Sequence, residues 1–88
     1  WDADEKKNMP IFIGEEIRKK AKERKVTVAW LAHELGYHRT NIYRIFDSAS
    51  VDTDVLLRLS IILKFDFFDL YSEKIVQKLD SGAFESEL

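Results

Sequence analysis

The chain has 88 residues, 45% hydrophobic and 34% charged, with a net charge of −2 and no Cys. This is one small globular domain with a single modest core, which excludes a disulfide framework, a thiolate metal site and a disordered chain. No apolar run approaches a membrane span and no signal-peptide pattern opens the chain, so with Cys absent the expected location is the cytoplasm.

Trp1 opens the chain without an initiator Met, as in a processed fragment or a tag remnant before Met9. Residues 1–10 are polar and patternless and are expected as a flexible arm. A first helix is predicted over 13–25, with Ile13, Ile17 and Ala21 stepping by four along its inner stripe. A second is predicted over 28–35, with Thr27 as N-cap. Its Val28, Leu31, Ala32 and Leu35 fall at i, i+3, i+4 and i+7, a full apolar stripe. Gly36 follows, where glycine supplies the left-handed residue that ends a helix.

A third helix is predicted over 39–46. Ile42, Ile45 and Phe46 form its inner face, and Thr40, Tyr43, Arg44 and Asp47 repeat on the opposite face. Residues 48–51 read as a loop. Asp52 is placed to cap a fourth helix over 53–64, whose inner positions include Val55, Leu56, Leu59, Ile62 and Leu63. Asp66 is placed to cap a short fifth helix over 67–72, with Asp69 as a weak capping-box variant. The aromatic run DFFDLY reads as the bottom of the core, or otherwise as a dimer surface. Residues 73–88 carry Ile75, Val76 and Leu79 and then fade into Ser, Gly and Glu, expected as a C-terminal extension that is helical and then disordered. The domain proper is thus 11–72.

Charge is unevenly spread. Between 11 and 46 there are eight Lys and Arg against four Glu, and from 47 to 88 four against nine Asp and Glu. Such polarity orients a protein on a polyanion, basic end first. A solvated helix face is the alternative reading of the basic run.

The stretch LGYHRTNIYRIF at 35–46 poses the functional question. An ordinary surface helix carries flexible Glu and Lys, whereas this one presents Arg39, Thr40, Tyr43 and Arg44, with His38 and Asn41 beside them. Two helices joined by a glycine turn, with small Ala32 at their crossing and Ile42 and Ile45 as anchors, leave that outer face free to enter a major groove. Arg can pair bidentately with guanine, and Thr can meet a thymine methyl. A face that docks on another protein is the competing reading.

The stretch TVAWLAHELGYHRTNIYRIF resembles the lambda-repressor-like (Cro/XRE-type) helix–turn–helix family at Leu31, Ala32, Leu35, Gly36, Ile42 and Ile45. SVDTDVLLRLSIILKFDFFDLY resembles that family's fourth and fifth helices, so the likeness spans about 12–72. It implies an all-α, compact five-helix bundle, and a bacterial transcriptional regulator that binds double-stranded DNA as a homodimer. Carried over residue by residue, base contacts fall to His38, Arg39, Thr40, Tyr43 and Arg44. Phosphate contacts fall to Thr27, Val28, Asn41, Ser48 and Ser50.

Three departures stand out. Val28 occupies a position where the family often has a phosphate-holding Gln. Ala21 and Phe46 stand where many members bury an Arg–Glu pair. The loop DSASVD replaces a basic or glycine-rich one, which weakens phosphate anchoring.

Other residues carry less. Trp30 lies off its helix stripe and reads as packing against residues 1–12, or as a partner contact. His33 and His38 are five apart, not one face of a metal site, and no metal or cofactor is expected. Asp66 and Asp69 read as caps, not an acid–base pair. No nucleophile–base arrangement or phosphate loop is present, and the chain leaves hardly any room for a pocket, so no enzyme and no small-molecule substrate is expected. The runner-up to DNA binding is a protein-interaction module, an adaptor or antitoxin-like partner on the same fold.

Overall fold

The computed structural model describes residues 11–80. They form five α-helices: α1 Ile13–Glu23, α2 Val28–Leu35, α3 Arg39–Phe46, α4 Thr53–Leu63 and α5 Phe68–Asp80. No strand occurs among the described residues. The flexible arm expected over 1–10 and the disordered tail after 80 lie outside them.

The helices form where the apolar stripes predicted them. Ile13, Ile17 and Ala21 of α1 are buried, as are Leu31, Ala32 and Leu35 of α2 and Leu56, Leu59 and Leu63 of α4. Ile42 of α3 and Phe67, just before α5, complete one core. Each of these side chains leaves water for apolar neighbours, which is the main favourable term in a domain this small. α2 packs on α3, and α1 lies against both α3 and α4. On α3 only Ile42 is fully buried; Ile45 and Phe46, expected beside it, are half-buried at the edge of the core.

The helix ends are built by a repeated device. At α2, Gly36 has φ +71°, Tyr37 N–H donates to Ala32 O at 2.8 Å, and Gly36 N–H to His33 O at 3.2 Å. That is the Schellman pattern. The same pair of bonds closes α1, from Val26 to Ala21 at 3.1 Å and from Lys25 to Lys22 at 3.0 Å. It closes α4 too, from Phe65 to Ser60 at 3.0 Å and from Lys64 to Ile61 at 3.3 Å. There the left-handed residues are lysines, Lys25 with φ 60° and Lys64 with φ 54°. Hence α1 and α4 stop short of the predicted ends at 25 and 64, which no glycine marked.

Arginines from other elements finish two of these ends. Arg24 donates through Nε to Leu63 O and through Nη2 to Lys64 O, both at 3.0 Å. Arg58 donates to Leu35 O at 2.8 Å and lies 5.7 Å from the Tyr37 ring centroid. A cation near the last carbonyls of a helix also meets the negative end of its dipole.

The N-termini only partly follow expectation. Thr27 Oγ1 accepts from Trp30 N–H at 3.0 Å, the expected cap. Asp66 Oδ1 accepts from Phe68 N–H at 3.0 Å. Asp52 makes no side-chain cap bond, so its expected role at α4 is corrected. No cap bond from the Asp69 carboxylate occurs either. The short helix predicted over 67–72 and the extension beyond it are one continuous helix to Asp80. No helix among the described residues is long and apolar enough to cross a membrane.

Candidate nucleic-acid interface

The 3.6-residue period that buries Ile42 turns Arg39, Thr40, Tyr43, Arg44 and Asp47 outward, and all five are exposed. Among the described residues, the side chains of Arg39, Thr40, Tyr43 and Arg44 enter no hydrogen bond or ion pair. Their donors are therefore unengaged along one face. His38 is exposed at the N-cap position of α3. The fold thus brings together all five residues expected to contact bases.

Asn41 sits at the side of that face and is half-buried. Its Oδ1 accepts from His38 N–H at 3.0 Å, so the side chain that was expected at a phosphate first holds the start of α3. An Asn whose oxygen caps the helix keeps its NH2 as a donor.

The expected phosphate contacts divide. The Thr27 hydroxyl accepts from Trp30 and keeps its own O–H, and the first-turn N–H groups of Val28 and Ala29 have no acceptor inside α2. A helix N-terminus with free N–H groups favours an anion. Ser48 is different: Oγ donates to Arg44 O at 2.6 Å and its N–H to Ile45 O at 3.1 Å. Both donors are engaged within the chain, so a phosphate at Ser48 would have to displace one. Ser50 is exposed.

The loop after α3 is held by an element the sequence reading did not connect to it. Gly14 N–H donates to Ser48 O at 2.9 Å and Ile13 N–H to Ala49 O at 3.1 Å. The positive end of α1 thereby meets loop carbonyls. Gly14 is buried, and a Cβ there would come within 2.5 Å of Phe46 O and 2.6 Å of Ser48 O, and closer still to Ile45 O. This glycine sets how closely α1 approaches the end of α3. The available signal was a glycine one residue into a helix, where it is otherwise unfavourable.

Several cations counted in the basic half have internal partners. Arg18 pairs with Glu15 at 3.2 Å. Lys20 pairs with Glu23 at 3.1 Å and lies 4.1 Å from the Phe65 ring centroid. Arg24 holds the end of α4. Lys19, Lys22, Lys25, Arg39 and Arg44 remain without a hydrogen bond or ion pair among the described residues. The hydrogen bond and charge of Arg18 hold the Glu15 carboxyl below its ordinary value of 4.5.

Between α1, the start of α2 and the end of α3 lies a groove of about 400 Å³. It is lined by apolar Ala21, Val26, Val28, Leu31 and Phe46 and by Arg18, Lys22, Tyr43 and Asp47. A groove of this size corrects the expectation that the chain has hardly any room for a pocket. Trp30, at 39% relative exposure, is open to solvent. Its expected packing against residues 1–12 falls largely outside the described residues. Among the described residues no group of three or more His, Cys, Asp or Glu could hold a metal ion.

Compared with known proteins, the chain matches no protein-family model, no curated protein and no solved structure.

Proposed function

We propose that the chain is a sequence-specific double-stranded DNA-binding regulator of the lambda-repressor-like helix–turn–helix type, with α3 entering the major groove. The observation that carries this reading is the outer face of α3. Arg39, Thr40, Tyr43 and Arg44 are exposed and unengaged, while Ile42 behind them is fully buried. A helix anchored from behind with free planar donors in front suits base-edge recognition. The free N–H groups at the start of α2 lie on the neighbouring helix, where the reading puts a phosphate.

The regulator acts as a homodimer in this reading, on an inverted repeat whose half-sites lie about 34 Å apart. Ile75, Val76 and Leu79 of α5, each more than half exposed, are the apolar surface available for self-association. A protein-interaction module is the second reading, favoured by the exposure of Trp30 and of that α5 surface.

Selection from a randomised duplex-DNA pool tests the proposal, with the Arg39→Ala/Arg44→Ala double variant alongside. The expected result is an enriched inverted repeat that the variant fails to enrich. Each single variant should lose about 1–3 kcal/mol of specific binding and relax one base position. Folded protein that enriches nothing would reject DNA reading and favour the protein-docking role.

A further inference from the structure

We propose that the pocket between α3, the loop after it and the start of α4 binds a free α-amino acid with an apolar side chain. Its volume of about 460 Å³ falls within the range of small-ligand sites. Its charged lining is one cation and one anion, Arg44 and Asp52. They form no ion pair with each other or with any described residue. Asp52 makes no cap bond at α4, and the Arg44 side chain donates no hydrogen bond among the described residues. Two opposite charges thus line one pocket, and neither is neutralised. A phosphate would suit Arg44 but be repelled by Asp52, and a simple amine would meet the reverse. A zwitterion satisfies both, its carboxylate on the guanidinium fork and its ammonium on the Asp52 carboxylate. The Asn41 NH2 and the Ser50 hydroxyl, both unengaged among the described residues, are further donors for the ligand carboxylate. Half-buried Ile45, Val51 and Val55, with Tyr37, give an apolar wall for the ligand side chain. Arg44, Asn41 and Ser50 also belong to the proposed DNA contacts, but amino-acid binding stands without that reading.

The test uses the full chain without DNA and two probes, L-leucine and L-phenylalanine, followed by backbone amide NMR shifts. At least one probe should give saturable shifts centred on Asn41, Arg44, Val51, Asp52 and Val55. Isocaproate is leucine without its ammonium, and isopentylamine is leucine without its carboxylate. Each should bind about two- to fivefold more weakly than leucine, the scale of one solvent-exposed ion pair. Asp52→Asn should weaken leucine by a similar factor and leave isocaproate unchanged. Arg44→Gln should weaken leucine and leave isopentylamine unchanged. Both positions are exposed, so neither substitution opens the core. Shifts that never saturate, that are equal for leucine and its two truncated analogues, or that survive Asp52→Asn undiminished would overturn the proposal. So would an absence of shifts with both amino acids. Inorganic phosphate shifting the same residues while neither amino acid does would make the pocket a phosphate seat and likewise overturn it. Operator selection is a separate measurement, so failure here leaves the α3 reading standing, and the reverse holds too.

Discussion

A methyl group at Gly14 would run into three backbone carbonyls at the end of α3, those of Ile45, Phe46 and Ser48. None of these can swing away as a flexible side chain could. Gly14→Ala should therefore destabilise the fold by about 1–3 kcal/mol, the usual range for overpacking, seen as a lower urea midpoint. An unchanged midpoint would show that α1 can shift freely and that Gly14 does not set its position. The two left-handed lysines give the opposite sign. A non-glycine residue in that conformation costs roughly 1–2 kcal/mol, and glycine loses part of that gain through its freer unfolded chain. Lys25→Gly and Lys64→Gly should each raise stability by about 0.5–1 kcal/mol in thermal melts. A loss of stability in both would mean that the lysine side chains contribute packing that outweighs the backbone term. Glu15 adds a modest pH effect. Its carboxyl is held below the ordinary value, so the Arg18–Glu15 pair contributes above about pH 4.5 and is lost as pH falls through the lowered value.

At the scale of helices, the C-termini of α2 and α4 depend on arginines from elsewhere in the chain. Arg24 bridges two carbonyls at the end of α4, a fork that a lysine cannot reproduce. Arg24→Ala should cost about 1–2 kcal/mol, with Arg24→Lys recovering only part of it, as measured by denaturant titration. Full recovery by lysine would reduce the contact to simple charge at a helix end. This use of Arg24 also changes the functional reading of the basic run. In sequence it counts toward a DNA-facing charge; in the fold its guanidinium is turned to α4. On α3 the division is clearer. Asn41 holds the helix start while Arg39 and Arg44 remain unengaged, so Asn41→Ala should lower stability more than Arg39→Ala does, and, under the proposed DNA-binding function, Arg39→Ala should lower specific DNA binding more than stability.

For the whole molecule, the cations left without hydrogen bonds or ion pairs are Lys19, Lys22, Lys25, Arg39 and Arg44, on α1 with its terminating turn and on α3. If α3 meets duplex DNA, the logarithm of affinity should fall linearly with the logarithm of salt concentration, with a slope of about −0.9 per phosphate neutralised. Filter binding or fluorescence anisotropy across a salt series measures it. A flat response would exclude a phosphate-anchored complex and favour protein docking. The acidic residues are concentrated after α3, which leaves this orientation the favourable one on a polyanion.

By itself the sequence determined the all-helical class, four of the five helix positions to within a residue or two, and the outward face of α3, because apolar periodicity and glycine punctuation are local signals. The extent of α5 was legible only as a weak cluster at Ile75, Val76 and Leu79, since its second half buries nothing that would stamp a period. Tertiary structure alone decided the rest. The Schellman ends at Lys25 and Lys64 arise from bonds that lysine does not advertise. The docking of Gly14 on the loop after α3 joins residues more than thirty positions apart in the chain. The groove over Ala21 and Phe46 is lined by residues from separated stretches of the chain, so only the packing of three helices creates it.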